Sequence, residues 1–288
     1  MTEPTGTDDP GVPGPGVDAP LFVRHLGEGL DRALRDLAAL PSVLVALDFD
    51  GVLAPLVDDP ATSRITPAAV EAIARLDDLP GIHIALISGR DADTLVALAE
   101  VPAGTLVVGS HGAQRGHVGL SPDRTPYLVA QPLELTDAQA RLRAEVLREA
   151  TALTERYPGA WVETKPGSVV VHSRRCTPED AAELTAAVLA GPAAREGLRV
   201  QEGKDVVEMA VVHATKGDAV AELRAEVSPQ GVLFAGDDVT DEDAFAVLGP
   251  HDVGIKVGDG PTAAGYRVAD PDEFTAVLLR LVELREQA

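Results

Sequence analysis

The sequence predicts an α/β protein: a doubly wound, Rossmann-like parallel-sheet core interrupted by an α+β insert. Three observations carry that expectation. Short, mainly apolar runs at 43–47, 82–87 and 106–108 read as buried parallel strands, which need not alternate because both faces are covered. Helical stretches lie between them, giving strand–helix–strand–helix–strand with right-handed crossovers. The same rhythm returns after His213, with strands at 232–235 and 253–257.

In chain order, Leu26, Leu30, Leu34 and Leu37 recur at helical spacing, so a helix running to Leu40 packs on the core, its first turn weakened by Gly27 and Gly29. Thr66-Pro67 pairs an N-cap with a proline at the first helical position. That helix runs to Asp78, where Pro80-Gly81 stops it. Asp91 begins another, to Glu100. Between 113 and 210 the rhythm changes. Strands are expected near 127–130, 161–163, 169–172, 198–201 and 206–209, and helices near 136–156 and 178–189. Lys216-Gly217 opens a helix to Val227, and further helices follow at 241–248 and 274–286. The glycines of 254–265 are turn material. Residues 1–20, rich in Pro, Gly and acid, are expected to be a disordered tail. The expected domains are a core of 21–112 with 213–288, and an inserted domain of 113–212.

The chain has 288 residues, enough for a sizeable core, and 45% of them are hydrophobic. Its formal net charge of -22 argues against nucleic acid and against a polybasic membrane anchor. One cysteine, Cys176, excludes an internal disulfide, and the absence of Asn excludes an N-glycosylation acceptor. No apolar run reaches the ~18 residues of a membrane span, and no basic-then-apolar leader opens the chain. The expectation is a cytoplasmic monomer acting on a small molecule.

Asp48-Phe49-Asp50-Gly51 leaves the carboxyl end of the 43–47 strand, the edge at which open α/β sheets bind ligands. Residues two apart on extended chain point the same way, so Asp48 and Asp50 are expected side by side. Repelling carboxylates favour a shared proton or a hard cation such as Mg²⁺. Taken alone, the stretch also reads as a turn after a strand. Ser88 follows the 82–87 strand directly, and Asp237 follows the 232–235 strand after one glycine, so all should meet at one edge. Asp238 and Asp241 add carboxylate there. An acidic helix start accounts for 241–243, but not for Asp237, which with Asp48 and Asp50 suits Mg²⁺ and several waters.

Carboxylates, Mg²⁺ and a lysine form a phosphoryl-transfer set. One carboxylate can attack phosphorus and form an aspartyl phosphate. A second can protonate the leaving oxygen and then deprotonate water. Lys216 and Ser88 would hold the phosphoryl oxygens. Lysine is scarce, and Lys165, Lys204 and Lys216 all fall beside other candidates. No Gly-x-x-x-x-Gly-Lys-Ser/Thr loop is present, which argues against a nucleotide-driven P-loop enzyme.

Asp48-Phe49-Asp50-Gly51, Ser88, Lys216 and Gly236-Asp237-Asp238-x-x-Asp241, in that order and at strand ends, resemble the four motifs of the haloacid dehalogenase superfamily. The resemblance implies a core of that type, with Asp48 as nucleophile and Asp50 as acid and base. It implies Ser88 and Lys216 at the phosphate, and Asp48, Asp50 and Asp237 at Mg²⁺. The insert would be the larger α/β cap domain, which closes over the site and selects substrate. Val52 departs from the threonine usual there.

Ser88-Gly89-Arg90, Gly109-Ser110-His111-Gly112, the run from Gly236 to Asp243, and Tyr266-Arg267-Val268 with Asp270-Pro271 are similar to the trehalose-6-phosphate phosphatase family. That likeness covers about residues 40–285. It implies Gly89, Arg90, His111 and Gly112 at the substrate, and Glu163, Lys165, His172, Arg174, Lys204 and Glu208 as sugar contacts in the cap. Met209-Ala210-Val211 lacks the Arg-Pro that the family often has nearby. The implied activity is Mg²⁺-dependent hydrolysis of trehalose 6-phosphate, a phosphoric monoester hydrolase step of trehalose biosynthesis. The alternatives are a phosphatase for sucrose 6-phosphate or mannosyl-3-phosphoglycerate, and a non-catalytic sugar-phosphate binder on the same fold.

Overall fold

Val43, Leu44, Val45, Ala46 and Leu47 form one strand in which every side chain is buried, and two helical layers explain why none can face water. The computed structural model describes residues 26–288, so the tail expected at 1–20 lies outside the described residues. Leu30, Leu34 and Leu37 are buried along one face of α1 (Glu28–Ala38), the helical stripe expected from their spacing. The chain continues through β1 (Val43–Leu47), α2 (Pro67–Asp77), β2 (Ile82–Ile87), α3 (Ala92–Ala99) and β3 (Leu106–Gly109). Thr66 caps α2 by accepting from the Ala69 amide, and Asp91 caps α3 by accepting from the Thr94 amide.

Next come β4 (Gln114–Leu120), β5 (Pro126–Gln131), α4 (Asp137–Thr154), β6 (Trp161–Thr164), β7 (Ser168–His172), α5 (Pro178–Ala190), β8 (Arg199–Gly203) and β9 (Val206–Ala210). The chain ends with α6 (Lys216–Val227), β10 (Gly231–Gly236), α7 (Glu242–Phe245), β11 (Val253–Val257), β12 (Tyr266–Val268) and α8 (Pro271–Glu286). Two sheets result. The larger has the order β12-β11-β10-β1-β2-β3-β4-β5, and the smaller β6-β7-β9-β8.

From β12 to β3 the larger sheet is parallel. Its strand order reverses beside β1, which has β2 on one side and β10 on the other. That reversal opens a ligand crevice at the carboxyl ends of the strands. Val43, Val45 and Leu47 pack with α1, α2, α3 and α8 on one face. Leu44 and Ala46 pack with Ala219, Val220 and Leu223 of α6 and Phe245 of α7 on the other. Each fully buried Leu contributes about 1.5–3 kcal/mol relative to exposure.

The sheet pairing moves one expected boundary. A single strand is expected here, near 127–130, and it is placed in the insert, which is expected to begin at 113. Instead β4 pairs with β3 and with β5, both antiparallel, and the hairpin extends the larger sheet. Gly116 and Gly119 dilute the strand pattern of β4, so it was not expected as a strand. Its partner β3 is set by tertiary pairing, which leaves no local signal. The smaller sheet therefore starts only after Gln131. It is antiparallel throughout, with Val169, Val171, Val207 and Met209 packed on α4 and α5. β12 forms within a region whose preceding glycines read as turn material. Among the described residues no helix is long and apolar enough to cross a membrane.

Candidate active site

Asp48 leaves β1 at its carboxyl end, and its amide donates to the Ala235 carbonyl of β10 at 3.0 Å. The residue is 4% exposed. The chain then turns sharply at Gly51, where φ is +76° and a Cβ would stand 2.0 Å from an Asp237 carboxylate oxygen. Only glycine lets the loop pass beneath that side chain. Strand register thus brings together two acids far apart in sequence.

Lys216 is the first residue of α6, whose start is fixed by a capping box between Thr215 and Asp218. Its ammonium stands 3.0 Å from Asp48 Oδ1 and donates to Asp241 Oδ1 at 2.7 Å. Asp241 Oδ2 in turn accepts from the amides of Asp237 and Asp238, at 2.9 Å each. On the opposite side of that loop, the buried Lys256 ammonium donates to the Asp237 carbonyl at 2.5 Å and to the Asp238 carbonyl at 3.4 Å. The loop after β10 is therefore clamped through its amides by an acid and through its carbonyls by a base.

Charge is unevenly distributed here. Asp48, Asp237 and Asp241 can bring oxygens within 4.8 Å of one another. Burial, and then the Asp241 charge, hold the Asp48 carboxyl well above the usual carboxylate range, although Lys216 opposes them. Burial and Asp241 also raise Asp237. Burial alone would lower the Lys216 ammonium, but Asp48 and Asp241 together outweigh it and leave it raised. One ammonium facing three carboxylates leaves excess negative charge, which suits a hard divalent cation. Asp241 already spends both oxygens on Lys216 and the two amides, so Asp48 and Asp237 are the better-placed ligands.

Asp50 is placed differently from the expectation. It was expected beside Asp48 at the metal, but its carboxylate turns to Arg90, at 2.6 and 2.7 Å, and accepts from Ser63 Oγ at 3.0 Å. The loop from Asp48 is not extended: Asp50 bridges back to Ala54, so alternation along a strand no longer sets its direction. Ser88 follows β2, is 2% exposed, and accepts from the Arg90 amide at 3.2 Å. Asp48, Asp50, Ser88, Gly89, Arg90, Lys216, Asp237 and Asp238 all line one cleft.

A second cleft shares Gly89 and lies between the two sheets. Lys165 and Glu208 face it and pair at 3.5 Å, and Ser168 donates to Glu208 at 2.6 Å. Gly112, at φ +122°, lets the chain pass close to Ala214 and Thr215. The other expected sugar contacts are not brought to this cleft. His172 lies at the opposite end of β7, about 13 Å from Ser168 at ~3.3 Å per residue, and Glu163 of β6, which stands opposite Val170, turns to His172 and pairs with it at 2.8 Å. Lys204, in the β8–β9 turn, and Arg174 are exposed. The side chain of His111 lies outside the described residues.

Sequence reasoning missed Lys256, Ser63, Ser168 and Gln201. Lys256 had a signal: a scarce lysine inside the otherwise apolar, fully buried β11. Ser168 and Gln201 line the second cleft, but Ser168 opens the apolar run of β7 and Gln201 lies in the polar, exposed β8, so neither shows an alternation that would mark it. Ser63 carries no local signal.

Three comparisons bear on these clefts. The family model described as trehalose-phosphatase matches residues 46–272. A trehalose-phosphate phosphatase of Mycobacterium tuberculosis is 34% identical over 259 residues, covering 84% of this chain and 62% of that protein. The chain thus spans less than two thirds of that relative's length. The solved structure of Aspergillus fumigatus trehalose-6-phosphate phosphatase superposes with a TM-score of 0.60 at 26% identity, over 90% of this chain and 98% of that one. A haloacid dehalogenase-like hydrolase from Bacteroides thetaiotaomicron, at 14% identity and a TM-score of 0.54, shares the fold over 83% of this chain and 98% of its own.

Proposed function

The chain belongs to the trehalose-phosphatase family, and on that premise we propose that it hydrolyses trehalose 6-phosphate to trehalose and inorganic phosphate. The observation that carries this reading is the buried Lys216 held between Asp48 and Asp241 at the mouth of the parallel sheet. Buried carboxylate, lysine and hydroxyl in one cleft suit a phosphoryl group and little else.

Asp48 attacks phosphorus, and the bond from phosphorus to the sugar oxygen breaks as the aspartyl phosphate forms. Asp50 gives its proton to the departing sugar oxygen. It then takes a proton from the water that attacks the aspartyl phosphate, which frees phosphate and restores Asp48. Lys216 and Ser88 hold the phosphoryl oxygens. Asp48 and Asp237 would hold Mg²⁺, which supplies charge neutralisation and polarisation of the phosphoryl group. Hard oxygen donors and uncompensated negative charge fit that ion.

The smaller sheet with α4 and α5 acts as a cap domain. Lys165, Glu208 and Ser168 offer a disaccharide the polar partners that discriminate hydroxyl patterns. Comparing kcat/KM for trehalose 6-phosphate, glucose 6-phosphate and sucrose 6-phosphate tests the substrate. A clear preference for the trehalose ester is expected; equal or better use of another ester overturns the assignment.

A further inference from the structure

We infer that Arg90 is a positioning residue that fixes the Asp50 carboxylate in the cleft, and that it does not bind the phosphoryl group of the substrate. The inference rests on Asp50 carrying the proton in the proposed reaction.

The guanidinium is already committed. Nε donates to Asp50 Oδ2 at 2.6 Å and Nη2 to Asp50 Oδ1 at 2.7 Å, while Nη1 donates to the Pro60 carbonyl at 2.8 Å. Three of its five N–H groups are therefore used, one on each nitrogen. Its carbon lies 5.4 Å from the ring centroid of the fully buried Phe49, so one flat face is covered too. The side chain is 14% exposed. Turning the Nε–Nη2 fork onto a phosphoryl group would first require breaking its charge-assisted bidentate pair with Asp50.

Asp50 needs such a partner. Its side chain is 32% exposed, and in a wet cleft it would otherwise sample several rotamers. Oδ1 receives both Ser63 and Arg90, whereas Oδ2 receives Arg90 alone. A carboxylate oxygen accepts about two hydrogen bonds, so Oδ2 retains an open position. The geometry points to Oδ2 as the oxygen that meets the leaving group and then the water.

A mutant cycle reads this directly. Arg90→Ala is expected to lower kcat on trehalose 6-phosphate by about 10²-fold, as for a misplaced catalytic group, with KM within about twofold. Ser63→Ala should shift kcat the same way by less. Arg90→Ala combined with Asp50→Asn should be no slower than Asp50→Asn alone, since both remove one function. Arg90→Lys cannot form the planar fork and should not restore kcat. Calorimetric titration with inorganic phosphate and Mg²⁺ gives a reading independent of turnover, and Arg90→Ala should bind phosphate as the wild type does. Thermal melts confirm that each variant is folded. A raised KM with kcat retained, weakened phosphate binding, a further loss in the double variant, or rescue by lysine overturns the inference. Failure of the wild type to release phosphate from the trehalose ester would instead overturn the functional reading, and the phosphate titration would still judge Arg90.

Discussion

The Lys216 ammonium lies 3.0 Å from Asp48 Oδ1, and both side chains are almost fully withdrawn from water. One end of α6 is thereby tied to the carboxyl end of β1, and through Asp241 to the loop after β10.

Removing that cation strands its partners. Lys216→Met should destabilise the fold by about 3–5 kcal/mol, because buried carboxylates lose their countercharge. Adding Asp241→Asn should recover part of that stability and none of the activity. Urea unfolding and phosphate release measure the two effects separately.

Metal and pH are linked through the same acids. Asp48 and Asp237 are raised by burial, so the folded protein binds their protons more tightly than the unfolded chain does. Stability without metal therefore falls as pH rises from the ordinary carboxylate range, ~3.9, through the raised values. On the proposed reading Mg²⁺ binds the deprotonated pair and would offset this loss. Its gain in Tm should be large at about pH 7.5 and shrink at about pH 5. Melts in Mg²⁺ and in chelator check this, and an equal gain at both pH values contradicts it.

Gly51 is a local test of the Asp237 position. Gly51→Ala puts a methyl 2.0 Å from an Asp237 oxygen at a positive φ. The backbone alone costs about 1–2 kcal/mol, and the displaced carboxylate should weaken Mg²⁺ binding. Calorimetry with Mg²⁺ should show a lower affinity in a protein that still melts cooperatively.

On the proposed reading, Lys165 and Glu208 allow sugar recognition to be tested apart from the chemistry. Lys165→Ala and Glu208→Ala should each lower kcat/KM on trehalose 6-phosphate by about tenfold, the value of a hydrogen bond or two to the substrate. Hydrolysis of p-nitrophenyl phosphate, which has no sugar hydroxyls, should change little. Equal losses on both esters would show that the pair does not contact sugar.

Much of the candidate cleft was legible because its residues follow mainly apolar strands. Val43 to Leu47 delivers Asp48, Ile82 to Ile87 delivers Ser88, and Val232 to Gly236 delivers Asp237. Burial on both faces imposes that pattern on β1 and β10, and on β2 apart from the exposed His83. Features that depend on partners distant in sequence were not legible. Asp50 finds Arg90 forty positions away, β4 joins β3 rather than the smaller sheet, and Lys256 reaches back to the carbonyls of Asp237 and Asp238. Local spacing says nothing about which chain segment will stand opposite.

The most direct measurement is phosphate release from trehalose 6-phosphate by the wild type and by Asp48→Asn, each with Mg²⁺ and with a chelator. Rapid release by the wild type in Mg²⁺ is expected, with none in chelator and none from a folded Asp48→Asn. Undiminished release by Asp48→Asn, or by the wild type in chelator, would contradict the assignment of Asp48 as a metal-assisted nucleophile.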